Sequence, residues 1–312
     1  MPITSTNEQY YTHSAAKDIY RLLGTGNDFA PYIRTEVGLD KPRVLAKAEA
    51  SKDLFQTNVK NPRLTDTSGT ILIDGRILSV SRVMSHIKIT PEQWRSEFPH
   101  WQPSGTTIDL KMNPEVMKVV LELLKTTTEE MISDIDYQGD TLLATQLKYY
   151  DGFSKLMKAD ADVIDVANVG VITVSNVLDI ISSVEKAIPA RNAKKTNKIK
   201  IFMSKATYDI AMEANRKTQA NATLLTTPDV TRSAKGFELV WLPSVSDNEI
   251  FATIAGTGMD SNLVKGVWFS GDESNFLFWR EQPADEDWMI TLKFSMGVQY
   301  RAGKDVVLYV GS

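Results

Sequence analysis

Residues 288–301 read WMITLKFSMGVQYR. Every second position, Trp288, Ile290, Leu292, Phe294, Met296, Val298 and Tyr300, is apolar, and the intervening residues, Met289 apart, are small, polar or charged. Strict period-two alternation marks a strand with one buried face. Strands usually run about 5–6 residues; this one, at about 3.3 Å per residue, extends roughly 46 Å. An apolar edge so long needs cover of matching length. NPEVMKVVLELLKTTTEEMISDI (113–135) offers it. Asn113 suits the N-cap and Pro114 the first helical position. Val116, Val120, Leu123, Leu124, Thr127, Met131 and Ile135 form a 3.6-residue stripe, with Val116, Val120, Leu124 and Met131 expected on the core face. At about 1.5 Å per residue the helix spans ~35 Å. Helix and strand are expected to lie on each other, with TTIDLKM (106–112) adding a strand to the sheet.

TILIDGRILSVSRVMSHIKI (70–89) is the second unusual stretch. Asp74-Gly75 lies between β-rich runs, a two-residue hairpin signal. Apolar residues fall on both faces of the second run: Ile77, Val83, Ile87 and Ile89 on one, Leu78, Val80 and Met84 on the other. A projecting hairpin of this kind is expected to be covered by a neighbouring chain. Asp74, Gly75, Arg76, Ile77, Val83 and Ile87 are the expected contact residues. The first 60 residues lack a continuous apolar pattern and read as an arm, with a helical turn or two expected near 43–55 and a short helix at 14–26.

From about 160 the pattern becomes that of a compact α/β unit. Helices are expected at 173–189 and 204–218, with strands at 198–204, 237–243, 249–256, 263–271, 275–281 and 305–311. The domain reading is an arm (1–60), an extended hairpin (61–95), an elongated unit (96–160 and 285–303) and a compact unit (161–284 and 304–312).

The 312 residues carry a net charge of −4, with 42% hydrophobic and 24% charged residues, which are ordinary globular values. The acidic balance argues against tight electrostatic binding of nucleic acid, though not against enclosing it. With no cysteine there are no disulfides, thiolate metal sites or cysteine nucleophile. No secretory signal, membrane-length apolar run, repeat or low-complexity tract is evident.

The chemical motifs are weak. His13, His86 and His100 have no metal-ligand spacing. The glycines of GTG (24–26) follow a helix pattern and do not open one, unlike a phosphate loop. DADVID (160–165) lacks the glycine and terminal glutamate of a calcium loop. EQPADED (281–287) has no catalytic carboxylate spacing, and no GxSxG occurs. KAIPARNAKKTNKIK (186–200) reads as a solvated connection, and the six tryptophans as core or interface residues. No catalytic, cofactor or metal site is expected.

The order of parts resembles the major capsid proteins of tailed phages, the Hong Kong ninety-seven fold shared with encapsulins. The likeness covers roughly residues 40–312. It is carried by NPEVMKVVLELLKTTTEEMISDI as spine helix, TVSNVLDIISSVEKAIP, KIKIFMSKATYDIAME and FELVWLP in the axial domain, and WMITLKFSMGVQYRAGKDVVLYV as the long return strand of the peripheral domain. The resemblance implies an α+β capsid fold, not an enzyme. Its subunits would associate as pentamers and hexamers in a virion shell assembled in the bacterial cytoplasm, enclosing DNA without reading its sequence. It implies a hairpin laid over the adjacent subunit, and portal and decoration proteins as partners. The short arm after Met1 suggests a separate scaffolding protein. Lys60 and Lys88 flank the hairpin, but no crosslink is expected. Two other readings are an encapsulin shell holding cargo enzymes and an α/β enzyme with a site formed by the loop 219–235.

Overall fold

The computed structural model describes residues 28–50, 70–89, 104–106, 109–111, 114–220, 233, 236–268, 277–279 and 287–311. In chain order the strands and helices are β1 (Arg34–Val37), β2 (Arg43–Ala50), β3 (Ile71–Leu78), β4 (Ser81–Ile89), β5 (Ser104–Thr106), β6 (Asp109–Lys111), α1 (Pro114–Gln138), α2 (Phe153–Ala159), β7 (Ile164–Asp165), α3 (Val177–Ala187), α4 (Ala190–Ala193), β8 (Ile199–Met203), α5 (Lys205–Ala220), β9 (Glu238–Trp241), β10 (Glu249–Ile254), β11 (Leu263–Val267), β12 (Leu277–Trp279), β13 (Trp288–Tyr300) and β14 (Val307–Val310).

The alternating stretch forms β13, a strand of 13 residues, and it organises the first sheet. β4 pairs antiparallel along one edge, from Trp288 opposite Ile89 to Met296 opposite Ser81. β11 and β12 divide the other edge between them, at residues 296–300 and 289–291. β1 completes the sheet, parallel to β11. The seven alternating residues are all at most 7% exposed. Below them lies a core shared with Ile132 and Ile135 of α1 and Phe153 and Met157 of α2. α1 packs on α2, and α2 packs on β13, so the long helix and long strand are joined through this second helix.

The second sheet has the order β7-β14-β10-β8-β9. Every residue of its central strand β10 is buried, because both faces are covered. Ile250, Ala252 and Ile254 point into a cluster with Ile180, Val184 and Ala211 of α3 and α5. Phe251 and Phe202 point the other way, into the core below β13. Their rings stack at 4.8 Å, Tyr137 stacks on Phe251 at 5.5 Å, and Phe29 stacks on Tyr137 at 6.0 Å.

Several expectations are corrected. Residues 28–50 are not a loose arm: Phe29 and Ile33 lie in the central core, and β1 belongs to the first sheet. The buried ones, Phe29, Ile33, Leu39 and Leu45, build no core of their own; each fills a place in a core made with distant segments, which leaves no periodic signal. The stretch at 43–50 is strand, not helix, since pairing with β3 overrides the helix propensity of its Ala, Lys and Glu. Asp74-Gly75 sits inside β3 opposite Lys47 and Ala46, so the ribbon's turn is not there. Residues 104–106 and 109–111 form a separate two-stranded pair, β5–β6, instead of joining the β13 sheet. The strands expected at 263–271 and 275–281 pair with β13 instead of the compact sheet. Met131 is 36% exposed; the buried face of α1 runs through Ile132, Ile135 and Tyr137, one residue around the helix. Leu124 is half-buried. The side chains of Val116 and Val120, the expected helix at 14–26 and most of the loop 219–235 lie outside the described residues.

Candidate inter-subunit surface

β2 and β3 form a two-stranded ribbon that belongs to neither large sheet. Antiparallel register sets which side chains share a face, because directly opposed residues point the same way. One face carries Val44, Ala46 and Ala48 opposite Ile77, Gly75 and Ile73, with Ile71 beyond. This face is wholly apolar. Val44 is 59% exposed, Ile71 71%, Ile73 75% and Ile77 61%. The opposite face pairs Arg43 with Leu78, Leu45 with Arg76, Lys47 with Asp74, and Glu49 with Leu72. Gly75 fits where Val44 leans across the ribbon: a Cβ there would lie 2.5 Å from Val44 Cγ1 and 2.9 Å from the Leu45 carbonyl oxygen.

The charged face is the one fastened to the body. At the proximal end Leu45 and Leu78 are buried against Leu39 and Val264. Arg76 pairs with Asp160 and lies 4.5 Å above the Tyr300 ring centroid. Tyr300 donates to Asp160 at 2.7 Å. Burial works against ionisation of Asp160, but the hydrogen bonds from Tyr300 and the Asp162 amide, with Arg76 adjacent, hold its carboxyl below the ordinary range. Burial and the Asp160 hydrogen bond push the Tyr300 phenol up. At the distal end Arg191 Nη1 donates to Glu49 Oε1 at 2.5 Å, while Nη2 and Nε donate to Asp305 Oδ1 at 2.6 and 3.1 Å. Asn192 Nδ2 donates to the same oxygen at 2.7 Å. Between these ends a cleft of about 340 Å³ separates ribbon and body.

Within the body, polar contacts join the layers. Lys265 on β11 pairs with Asp136 of α1 at 2.7 Å, and the Tyr150 hydroxyl donates to Asp136 at 2.6 Å. Tyr137 and Ser154 donate to Glu249 on β10 at 2.7 and 3.0 Å, and Lys158 pairs with the same carboxylate. Burial, then the negative charge of Glu249, drives the Tyr137 phenol well up. These groups satisfy one another in an interior where unpaired polar atoms are costly.

The expected contact residues are therefore divided by the structure. Ile77 lies on the exposed apolar face, Gly75 beneath Val44, and Asp74 on the charged face, where its Oδ1 accepts the Gly75 amide at 2.7 Å. Arg76 is engaged within its own chain. Val83 is 7% exposed in the central core, and Ile87 is half-buried opposite Ile290. These last two are covered because β4 is a full strand of the first sheet and does not project. Val44, Ala46, Ala48, Ile71 and Ile73 share the apolar ribbon face with Ile77 and are not among the expected contact residues. Their signal is the alternation of VLAKAEA, masked by helix-forming residue types; ILI is apolar throughout and carries no alternation. His86 accepts or donates at Thr291 Oγ1 across 2.9 Å. Among the described residues no His, Cys, Asp or Glu group could hold a metal, and no helix is long and apolar enough to cross a membrane.

No protein-family model matches the sequence, and no curated protein matches it. Solved structures do. A satellite phage P4 procapsid that includes the size determination protein aligns over 98% of this chain and 93% of its own, with a TM-score of 0.61 at 8% identity. The capsid of an empty GTA particle aligns over 100% and 95%, with a TM-score of 0.56 at 11% identity. The capsid of Myoviridae phage XM1 aligns over 100% and 95%, with a TM-score of 0.55 at 9% identity. The chain has the phage major capsid fold. At such identities the likeness is one of architecture. The alignments span nearly the whole chain.

Proposed function

We propose that this protein is the shell subunit of a tailed double-stranded DNA phage and associates with itself through the apolar face of the β2–β3 ribbon. One observation carries the reading: on a capsid fold, a ribbon offers Val44, Ile71, Ile73 and Ile77 to solvent on one face while its other face is tied to its own body. Exposed β-branched residues in a row suit a neighbouring copy, and burying each contributes about 1.5–3 kcal/mol before ordering costs. Repeated over a closed shell, such contacts add up. The net charge of −4 suits a wall that encloses DNA without gripping it. On this reading the subunits sit in pentamers and hexamers of a virion assembled in the host cytoplasm.

Negative-stain microscopy of the purified protein tests this. Closed shells, or rings of five or six, are the expected result. A small particle at every concentration overturns the proposal. Nucleic acid inside particles from infected cells supports a virion, and packaged enzyme in its place means a cargo compartment.

A further inference from the structure

The ribbon is held at two points of different character. Its proximal end is half-buried: Leu45 and Leu78 pack on the body, and Arg76 is wedged between Asp160 and the Tyr300 ring. Its distal end touches the body through charge. Glu49 is the seventh of eight residues in β2, and its partner Arg191 stands on α4 in the other sheet's layer. Both Arg191 and Glu49 are more than a third exposed or close to it, at 38% and 35%. Arg191 is itself aimed by Asp305, which also receives Asn192. The guanidinium therefore bridges a fixed carboxylate on the body and a carboxylate on the ribbon, using its planar fork.

Glu49 lies on the face opposite Val44, Ala46, Ala48, Ile71 and Ile73. The Glu49–Arg191 link holds β2 beside the body, where Ala46 and Ala48 also line the cleft, and leaves Val44, Ile71, Ile73 and Ile77 in solvent. A lone two-stranded ribbon is only marginally stable in water, so its direction has to be imposed from outside. We infer that Arg191 is a positioning residue: through Glu49 it fixes the distal end of the ribbon and aims the apolar face outward, ready for a second copy of this chain. The advantage is preorganisation, because a ribbon already pointing outward loses less freedom when it docks. The link is an exposed ion pair, so salt weakens it. The assembly part of this inference rests on the proposed shell function; the aiming of the ribbon does not.

The test compares the full-length wild type with Glu49→Gln, which removes the charge and leaves the Arg191–Asp305 pair in place, and with Lys47→Gln, which removes the other cation paired with Glu49, on the same strand, and is expected to leave ribbon exchange unchanged. Asp209→Asn, which removes an exposed pair with Lys205 elsewhere, is the control. The first readout is amide hydrogen exchange in unassembled subunits. Glu49→Gln is expected to speed exchange across 43–50 and 71–78 about two- to fivefold, the range an exposed pair supplies, with the control unchanged. The second readout is assembly rate by light scattering. The variant is expected to assemble more slowly, and its gap from wild type to shrink between about 0.05 M and about 0.5 M NaCl as screening tightens. Unchanged ribbon exchange overturns the inference and leaves the shell reading intact. Faster exchange with an unaltered assembly rate also overturns the positioning role, while the shells themselves still uphold the function. If wild type forms no shells, the function fails, and faster ribbon exchange in Glu49→Gln still upholds the aiming of the ribbon by Arg191.

Discussion

Two glycines face each other where the ribbon's base crosses the first sheet: Gly266 on β11 and Gly297 on β13. A Cβ on Gly297 would lie 1.9 Å from the Ser79 carbonyl oxygen, a backbone atom with no room to give. One on Gly266 would meet the ends of the Leu39 and Leu78 side chains at 3.0 Å. Gly297→Ala is therefore expected to cost at least the about 1–3 kcal/mol of an overpacked core, visible as a lowered melting temperature or lost soluble yield. Gly266→Ala, which meets flexible side chains, is expected to cost less. Asp160 gives a second residue-scale test. Its carboxyl sits below the ordinary value of 3.8, so its contribution is complete above that pH and fades as pH falls through the lower folded value. Asp160→Asn is expected to lose about 1.5–3 kcal/mol at neutral pH, the worth of hydrogen bonds to a charged group. In denaturant titrations the gap from wild type should close as pH drops below 3.8.

At the scale of the element, β3 and β4 follow each other in sequence but have opposite fates. β4 is paired along β13 and its Val83 is buried, whereas β3 leaves the body and its Ile73 is 75% exposed. A charge therefore acts differently in each. Ile73→Asp is expected to leave the melting temperature of the subunit within the small range of surface substitutions, about 0.5 kcal/mol, and to block shell assembly. Val83→Asp buries a carboxylate in the core and is expected to unfold the subunit. Circular dichroism with light scattering separates the two outcomes. Equal loss of folding in both variants would place the ribbon's apolar face in the subunit's own core.

At the scale of the whole molecule, the two sheets share one core, closed by aromatic side chains from four distant segments. Phe29, fully buried, lies within about ring-contact distance of Tyr137, Phe153 and Phe202, at 6.0, 6.1 and 6.4 Å between centroids. Phe29→Ala is expected to cost about 3–5 kcal/mol in chemical denaturation. It should lower the stability of both sheets together, because the cavity opens between them. Two separate unfolding transitions, with only one affected, would contradict a shared core.

Local pattern determined a good deal by itself. The alternation of 288–300 specifies a strand with one buried face, since side-chain direction in an extended chain depends only on the backbone repeat. The apolar stripe and terminal signals of 114–138 specify a helix for the same local reason. The order of these parts was enough to indicate the capsid architecture. What only the tertiary structure decided was partnership. Asp74-Gly75 has the chemistry of a turn and became mid-strand because β2 lies alongside. Phe29 shows no periodicity and sits at the centre because three remote segments meet there. The ribbon is fastened by Leu45, Leu78 and Arg76 at one end and, at the other, by an arginine more than 140 positions from the glutamate it holds. Such long-range pairing is selected by the free energy of the assembled core and its charges, and nothing in a short window of sequence encodes it.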